Sequence, residues 1–300
     1  MRDARNRWVL FGGIVAALVL LLASCGYTET LDGRASAVPA LRVGQSPTTA
    51  PTTSPTTPPP TSDVAPAIDF TPAVREAVNI LDDADVSIAI YDRNLNKLVA
   101  GWHTEDPFYT ESVVKLLIGL DSLDHGQSAT RVSEMVARSD DVTATSLWDA
   151  NGGTAILKRM SAKIGLHHTT PPGDGKWGDT RITAGDLLLV YQYILDIAPT
   201  PERDVMISAM HHATNLGADG TDQWFGIPYA IGGRTPWAVK QGWACCEPGW
   251  VLNTTGVVGP GYRYIVIVLT SHDNGSGALQ QDSAELTKAV SALMPDLVAS

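Results

Sequence analysis

Cysteine is nearly absent from this sequence. The 300 residues include three, Cys25 and the adjacent pair Cys245 and Cys246. That is too few for a disulfide-stapled scaffold, and a vicinal pair does not have metal-ligand spacing. Positive charge is also short: 21 Lys and Arg stand against 32 Asp and Glu, a formal net charge of −11. An acidic surface argues against nucleic-acid binding and against electrostatic docking on anionic lipid. There is one notable apolar run, residues 8–23, and its 16 residues fall short of the ~20 that a helix needs to cross ~30 Å of hydrocarbon. No internal repeat is visible.

What the N-terminus does contain is directional. Arg2, Arg5 and Arg7 against Asp3 make a positive start, the apolar run follows, and Leu22-Ala23-Ser24 leads into Cys25. This is the layout of a secretory signal, with an uncleaved helical anchor as the alternative. Leu22-Ala23-Ser24-Cys25 resembles the lipobox of bacterial lipoproteins, of actinobacterial type. The resemblance implies a signal peptide at 1–24 and a lipid-bearing, palmitate-type acylated Cys25 at the new N-terminus. Two or three acyl chains hold a membrane where one does not. Removing the four charged residues of the start takes the net charge from −11 to −13, because together they carry +2. Any membrane contact is therefore expected through the lipid alone.

Residues 25–66 form the lipidated end and a tether. The stretch 46–61 is almost wholly Pro, Thr and Ser, with nothing to bury, and is expected to be an extended, disordered stalk. A recognition segment is the other possibility, but no motif favours it. Residues 67–300 are long enough for one sizeable core. Periodicity predicts a short helix at 71–81, a hairpin from strands 85–91 and 97–103, and a helix-rich middle from 111 to 215. It also predicts a buried helix around Leu187–Leu195, three C-terminal strands (237–243, 250–258, 262–270) and a closing helix at 278–294. Strands at both ends with helices between imply an α+β fold. Its N-terminal hairpin and C-terminal meander would share one antiparallel, five-stranded sheet.

Chemistry enters at Ser112-Val113-Val114-Lys115, where residues three apart on a helix put a hydroxyl beside an amine. A partly desolvated lysine can take the proton of such a serine and make it a nucleophile. Downstream stand Ser139-Asp140-Asp141, then Gly152-Gly153, and Lys240-Gln241-Gly242 in a predicted strand. In this order the residues resemble the serine β-lactamase and penicillin-binding-protein superfamily, most closely class A β-lactamases, whose signature is Ser-x-x-Lys, Ser-Asp-Asn and Lys-Thr-Gly. The similarity also takes in 84–117, 139–153, 177–187 and the strands after Lys240, about three quarters of the chain. It implies a β-lactamase-like fold and no cofactor. The implied roles are Ser112 as the acylated nucleophile, Lys115 as its base and Ser139 as a proton relay to the leaving nitrogen. Lys240, with Gln241 and Gly242, would hold the substrate carboxylate. The backbone N–H groups of Ser112 and Trp243 would form an oxyanion hole, each donor worth roughly 3–4 kcal/mol in such enzymes.

Departures from the pattern shape the expected activity. Asp141 stands where the family has Asn; ionised, it can accept a hydrogen bond from Lys115 but cannot donate one to a substrate amide. Gln241 replaces a small hydroxyl residue. No glutamate lies between Glu134 and Glu202, so the family's deacylating glutamate is missing; of the two acids on the corresponding loop, Asp174 is the remaining candidate, though Gly173 and Gly175 suggest an ordinary turn, and Asp179 matches a structural aspartate. Ser112 and Ser139 are 27 residues apart, shorter than in class A enzymes, implying a shortened helical subdomain and a more open cleft. His167-His168 and His211-His212 lack acidic partners at ligand spacing, and no metal site is expected. Cys245-Cys246 is either a vicinal disulfide or two small thiols. Trp237, Trp243 and Trp250 read mainly as sheet packing, with a ligand-facing wall as the alternative. Three functions follow in order: an envelope serine hydrolase or transferase acting on a peptide or amide, with poor β-lactam turnover; a catalytically idle binder of envelope peptide or a protein partner; a genuine β-lactamase. A monomer is expected.

Overall fold

The computed structural model describes residues 69–245, 249–272 and 279–298, with side chains as far as residue 294. The signal segment, Cys25, the stalk and Cys246 lie outside the described residues. Helix α1 (Thr71–Ile80) leads into β1 (Ala84–Asp92) and β2 (Lys97–Trp102), the expected hairpin; β3 (Phe108–Tyr109) follows. The helical part comprises α2 (Lys115–Asp124), α3 (Ala129–Arg138), α4 (Asp141–Ala150) and α5 (Ala155–Ile164). After the short β4 (Arg181–Ile182) come α6 (Ala184–Gln192), α7 (Thr200–His211) and α8 (Ile227–Ile231). The chain then forms β5 (Trp237–Ala244), β6 (Trp250–Val258), β7 (Tyr264–His272) and α9 (Leu279–Val298).

The five long strands make one antiparallel sheet in the order β2-β1-β7-β6-β5. Strand β1 pairs with β7 from Ala84 against His272 to Asp92 against Tyr264, so the two ends of the domain close on each other. Alternation along the strands sorts side chains into two cores. Ile265, Ile267 and Leu269 join Ala89 and Tyr91 on the face packed by α2 and α6. Tyr264, Val266 and Val268 join Ile88 and Ile90 on the face covered by α1, α8 and α9. Cover on both faces buries β1 from Val86 to Asp92.

The predicted buried helix is α6, where Leu187, Val190 and Tyr191 are sequestered. Asp186 closes its start: its carboxylate accepts from the backbone N–H groups of His167 and His168 and from the Thr169 hydroxyl, so this histidine pair is a loop anchored by an acid.

Candidate active site

The nucleophile candidate is set by a tight approach of strand to turn. Ser112 lies in a 3-10 turn, Glu111–Val114, that runs straight into α2. A Cβ placed on Gly242 would stand 2.5 Å from the Thr110 carbonyl oxygen and 3.0 Å from Val113 Cγ2. Only glycine lets β5 press against this turn. From the neighbouring strand, Asn253 steadies the same segment: its amide donates to the Tyr109 carbonyl at 2.8 Å and its oxygen accepts from Thr270 N. Opposite, Thr110 N donates to Thr180 O at 2.8 Å, tying in the loop before β4.

Five of the residues expected from sequence meet here. Lys115 Nζ lies 2.6 Å from Ser112 Oγ, 3.2 Å from Ser139 Oγ, 3.1 Å from the Ser139 carbonyl and 2.6 Å from Asp141 Oδ1. Lys240 Nζ reaches the same Ser139 hydroxyl from the other side at 2.8 Å. Ser139 holds its position by a left-handed backbone (φ 53°) that ends α3, after which Asp140 caps α4 through Val142 N and Thr143 N. The Ser-Asp-Asp run is thus a joint between two helices, and its serine points at both lysines. Gln241 does not face this group. Adjacent strand residues point to opposite sides, and its buried amide donates to Phe225 O while its oxygen accepts from Thr255 N. The sequence expectation that it would bind a substrate carboxylate is corrected on that ground.

Both lysines are fully buried. Removal from water is the largest influence on Lys115 and pushes its pKa down, with the charge and hydrogen bond of Asp141 opposing. Lys240 is pushed well down, first by burial and then by the charge of Lys115. Two cations cannot both stay charged at this spacing in a dry site without cost. A proton inventory agrees. A neutral Lys115 has two N–H groups, which satisfy the acceptor-only Asp141 Oδ1 and Ser139 carbonyl, and one lone pair left to accept the Ser112 hydroxyl proton.

Several participants have no sequence signal. The Trp177 ring centre lies 4.5 Å from Lys115 Nζ, and its indole N–H donates to Thr145 Oγ1. Ser112 itself is only 6% exposed. Glu111 adopts φ 45° immediately before Ser112, and its Oε2 sits 3.0 Å from where a Cβ on Gly178 would be. Burial, and next the charge of Asp179, push its carboxyl up to about 8. A cavity of about 460 Å³ flanks the cluster between Glu111, Asp179, Arg181 and Ala244.

The other sequence candidates fall as follows. Asp174 is exposed and forms a turn with Lys176. Trp243 lies over Gly217 and donates to Asp219 Oδ2, whereas Trp237 stacks edge-on against Trp224 at 5.7 Å, so the tryptophans do not make one wall. Cys245 is disulfide-bonded. Among the described residues, no helix is long and apolar enough to cross a membrane. Among the described residues, the one grouping of three metal-capable side chains is Asp83, His272 and Asp282, on elements that carry none of the Ser112 cluster.

Comparison with known proteins bears out the fold. A class A β-lactamase from Mycobacterium abscessus superposes with a TM-score of 0.62 at 16% identity, covering 75% of this chain and 98% of that one. A representative of class A β-lactamase from Bacteroides cellulosilyticus gives 0.65 at 14% identity, over 76% and 98%. Proteins of Mycobacterium tuberculosis and Mycobacterium bovis named "Putative lipoprotein LppW" are 34% identical over 226 residues, 71% of this chain and 70% of theirs. The chain belongs to the LppW family. No family model matches it. The LppW relatives carry lipoprotein in their name, in keeping with the lipobox-like sequence that ends at Cys25, and the LppW-family domain has the β-lactamase fold.

Proposed function

We propose that this LppW-family protein is an exported, lipid-tethered serine hydrolase or transferase that forms an acyl-enzyme at Ser112. Its substrate would be an amide or peptide of the cell envelope, and β-lactams would be turned over slowly. The observation that carries the reading is the 2.6 Å contact between Ser112 Oγ and a buried, pKa-depressed Lys115 amine, in a group completed by Ser139 and Lys240.

The steps follow from the contacts. Ser112 Oγ attacks the carbonyl carbon while its proton passes to Lys115 Nζ. The resulting oxyanion is held by the N–H groups of Ser112 and Trp243. Ser139 gives its proton to the departing nitrogen, the C–N bond breaks, and Ser139 is recharged by whichever neighbouring lysine holds a proton. Lys240 contacts Ser139, 2.8 Å away, and so serves this relay as well as the local potential. Hydrolysis of the ester then needs a base for water. Glu111 is the carboxyl beside the nucleophile. With its pKa pushed up to about 8 it is mainly protonated at neutral pH, so an acyl group would persist there and leave faster at alkaline pH.

One contact favours the idle-binder reading: Asp141 lies 2.6 Å from Lys115 Nζ and stabilises the ammonium, which cannot act as base. Intact-mass measurement over time with a fluorescent penicillin separates the readings. A lasting adduct supports the acyl-enzyme proposal, rapid turnover supports a β-lactamase, and no adduct at any pH up to 9 contradicts both and leaves the binder.

A further inference from the structure

Away from the Ser112 cluster, three side chains converge from distant parts of the chain. Asp83 lies on the turn between α1 and β1, His272 ends β7, and Asp282 lies in the first turn of α9. One ligand atom from each falls within 4.8 Å of the others. His272 is 1% and Asp282 2% exposed, yet among the described residues His272 Nδ1 and Asp282 Oδ2 have no hydrogen-bond partner. The distance from His272 Nδ1 to Asp83 Oδ1, 3.9 Å, is too long for a direct hydrogen bond. We infer that Asp83, His272 and Asp282 form a binding site for a first-row divalent cation such as Zn²⁺ or Mn²⁺, which fastens α9 to the edge of the α1–β1 turn.

Three features of the local chemistry carry this. First, the imidazole tautomer is fixed by its neighbours. The Thr270 hydroxyl donates to Leu252 O at 2.6 Å, so towards His272 Nε2, 3.1 Å away, it must accept. Nε2 therefore holds the proton, and the lone pair of a neutral ring lies on Nδ1, the atom left without a partner. A metal-bound histidine commonly has its second nitrogen engaged in this way. Second, the atoms are spaced for a bridge rather than for each other. Donors around a tetrahedral cation with bonds of ~2.1 Å stand roughly 3.4 Å apart, so a closure of about an ångström by the half-exposed Asp83 completes the set. Third, the group is acidic: Asp83 and Asp282 bring two carboxylates to one buried imidazole, with the half-buried Glu285 one turn along α9. One imidazole with two carboxylates suits Zn²⁺ or Mn²⁺ better than the all-oxygen shell preferred by Ca²⁺.

The test uses the full-length protein in detergent, stripped with chelator and titrated with ZnCl2 and with MnCl2 by calorimetry and thermal unfolding. One equivalent should bind and raise the melting temperature. Asp83→Asn, at a half-exposed turn where folding is not at risk, should weaken binding at least tenfold, and His272→Gln and Asp282→Asn should abolish it. Anomalous diffraction at the zinc edge should place the ion against His272 Nδ1. Failure of either ion to bind at one equivalent would overturn the inference, and so would binding unchanged by Asp83→Asn and Asp282→Asn, since the ion would then sit elsewhere, for example on the exposed His211 and His212.

Discussion

Asp141→Asn removes the carboxylate in contact with Lys115 while keeping the side chain's shape. The contact is 2.6 Å, but the Asp141 side chain is 63% exposed, so solvent screens the pair. With an effective dielectric between about 40 and 80, a pair at this distance is worth roughly 1.6–3 kcal/mol, or one to two pKa units. Asp141 raises the lysine's pKa against the depression from burial, so its loss moves the Lys115 pKa further down. The assay is the second-order rate of Ser112 labelling by a fluorescent penicillin from pH 5.5 to 9. The rising limb of the profile, which reports formation of the neutral amine, should shift to lower pH by one to two units. Below the limb the rate should then rise on the order of tenfold or more. If the wild type is idle because the pair clamps the ammonium, labelling should appear in the variant. A limb that does not move, or a rate that falls, would refute the assignment of Lys115 as the base restrained by Asp141.

Other substitutions probe separate links. Gly242→Ala forces β5 from the nucleophile turn and should cost about 1–3 kcal/mol in urea unfolding while removing Ser112 labelling. Glu111→Gln deletes an ionisation that the fold resists. Because the folded-state value near 8 lies above the unfolded one, wild-type stability falls as pH rises from about 4.5 to 8, so the variant should gain melting temperature over this window and match wild type near pH 4. The same variant should flatten the alkaline rise in adduct release. Gln241→Ala should lower stability, since Phe225 O and Thr255 N lose a buried partner, more than it alters the affinity for a carboxylate-bearing ligand.

Much of the architecture was legible because it is written locally. Apolar runs bounded by turn residues mark the strands, and one sheet shared by the N-terminal hairpin and the C-terminal strands was expected, whereas the pairing of β1 with β7 is seen only in the structure. Ser112 and Lys115 were legible for the same reason, being one turn apart. What escaped depends on backbone states and long closures. The positive φ of Glu111 aims a carboxyl that looks like any surface acid in sequence. Trp177 meets Lys115 only because the loop before β4 folds back onto Thr110, and Gln241 turns from the cleft because strand geometry gives that face to Lys240. Asp83, His272 and Asp282 share no spacing at all, since nearly the whole domain separates the first from the other two.

The most direct measurement is tandem mass spectrometry of peptides from the penicillin-treated protein. The penicilloyl mass should lie on Ser112, be lost in Ser112→Ala and Lys115→Ala, and form more slowly in Lys240→Ala. Label on any other residue, or label on Ser112 that survives Lys115→Ala at the wild-type rate, would contradict the claim that these side chains act as one nucleophilic group.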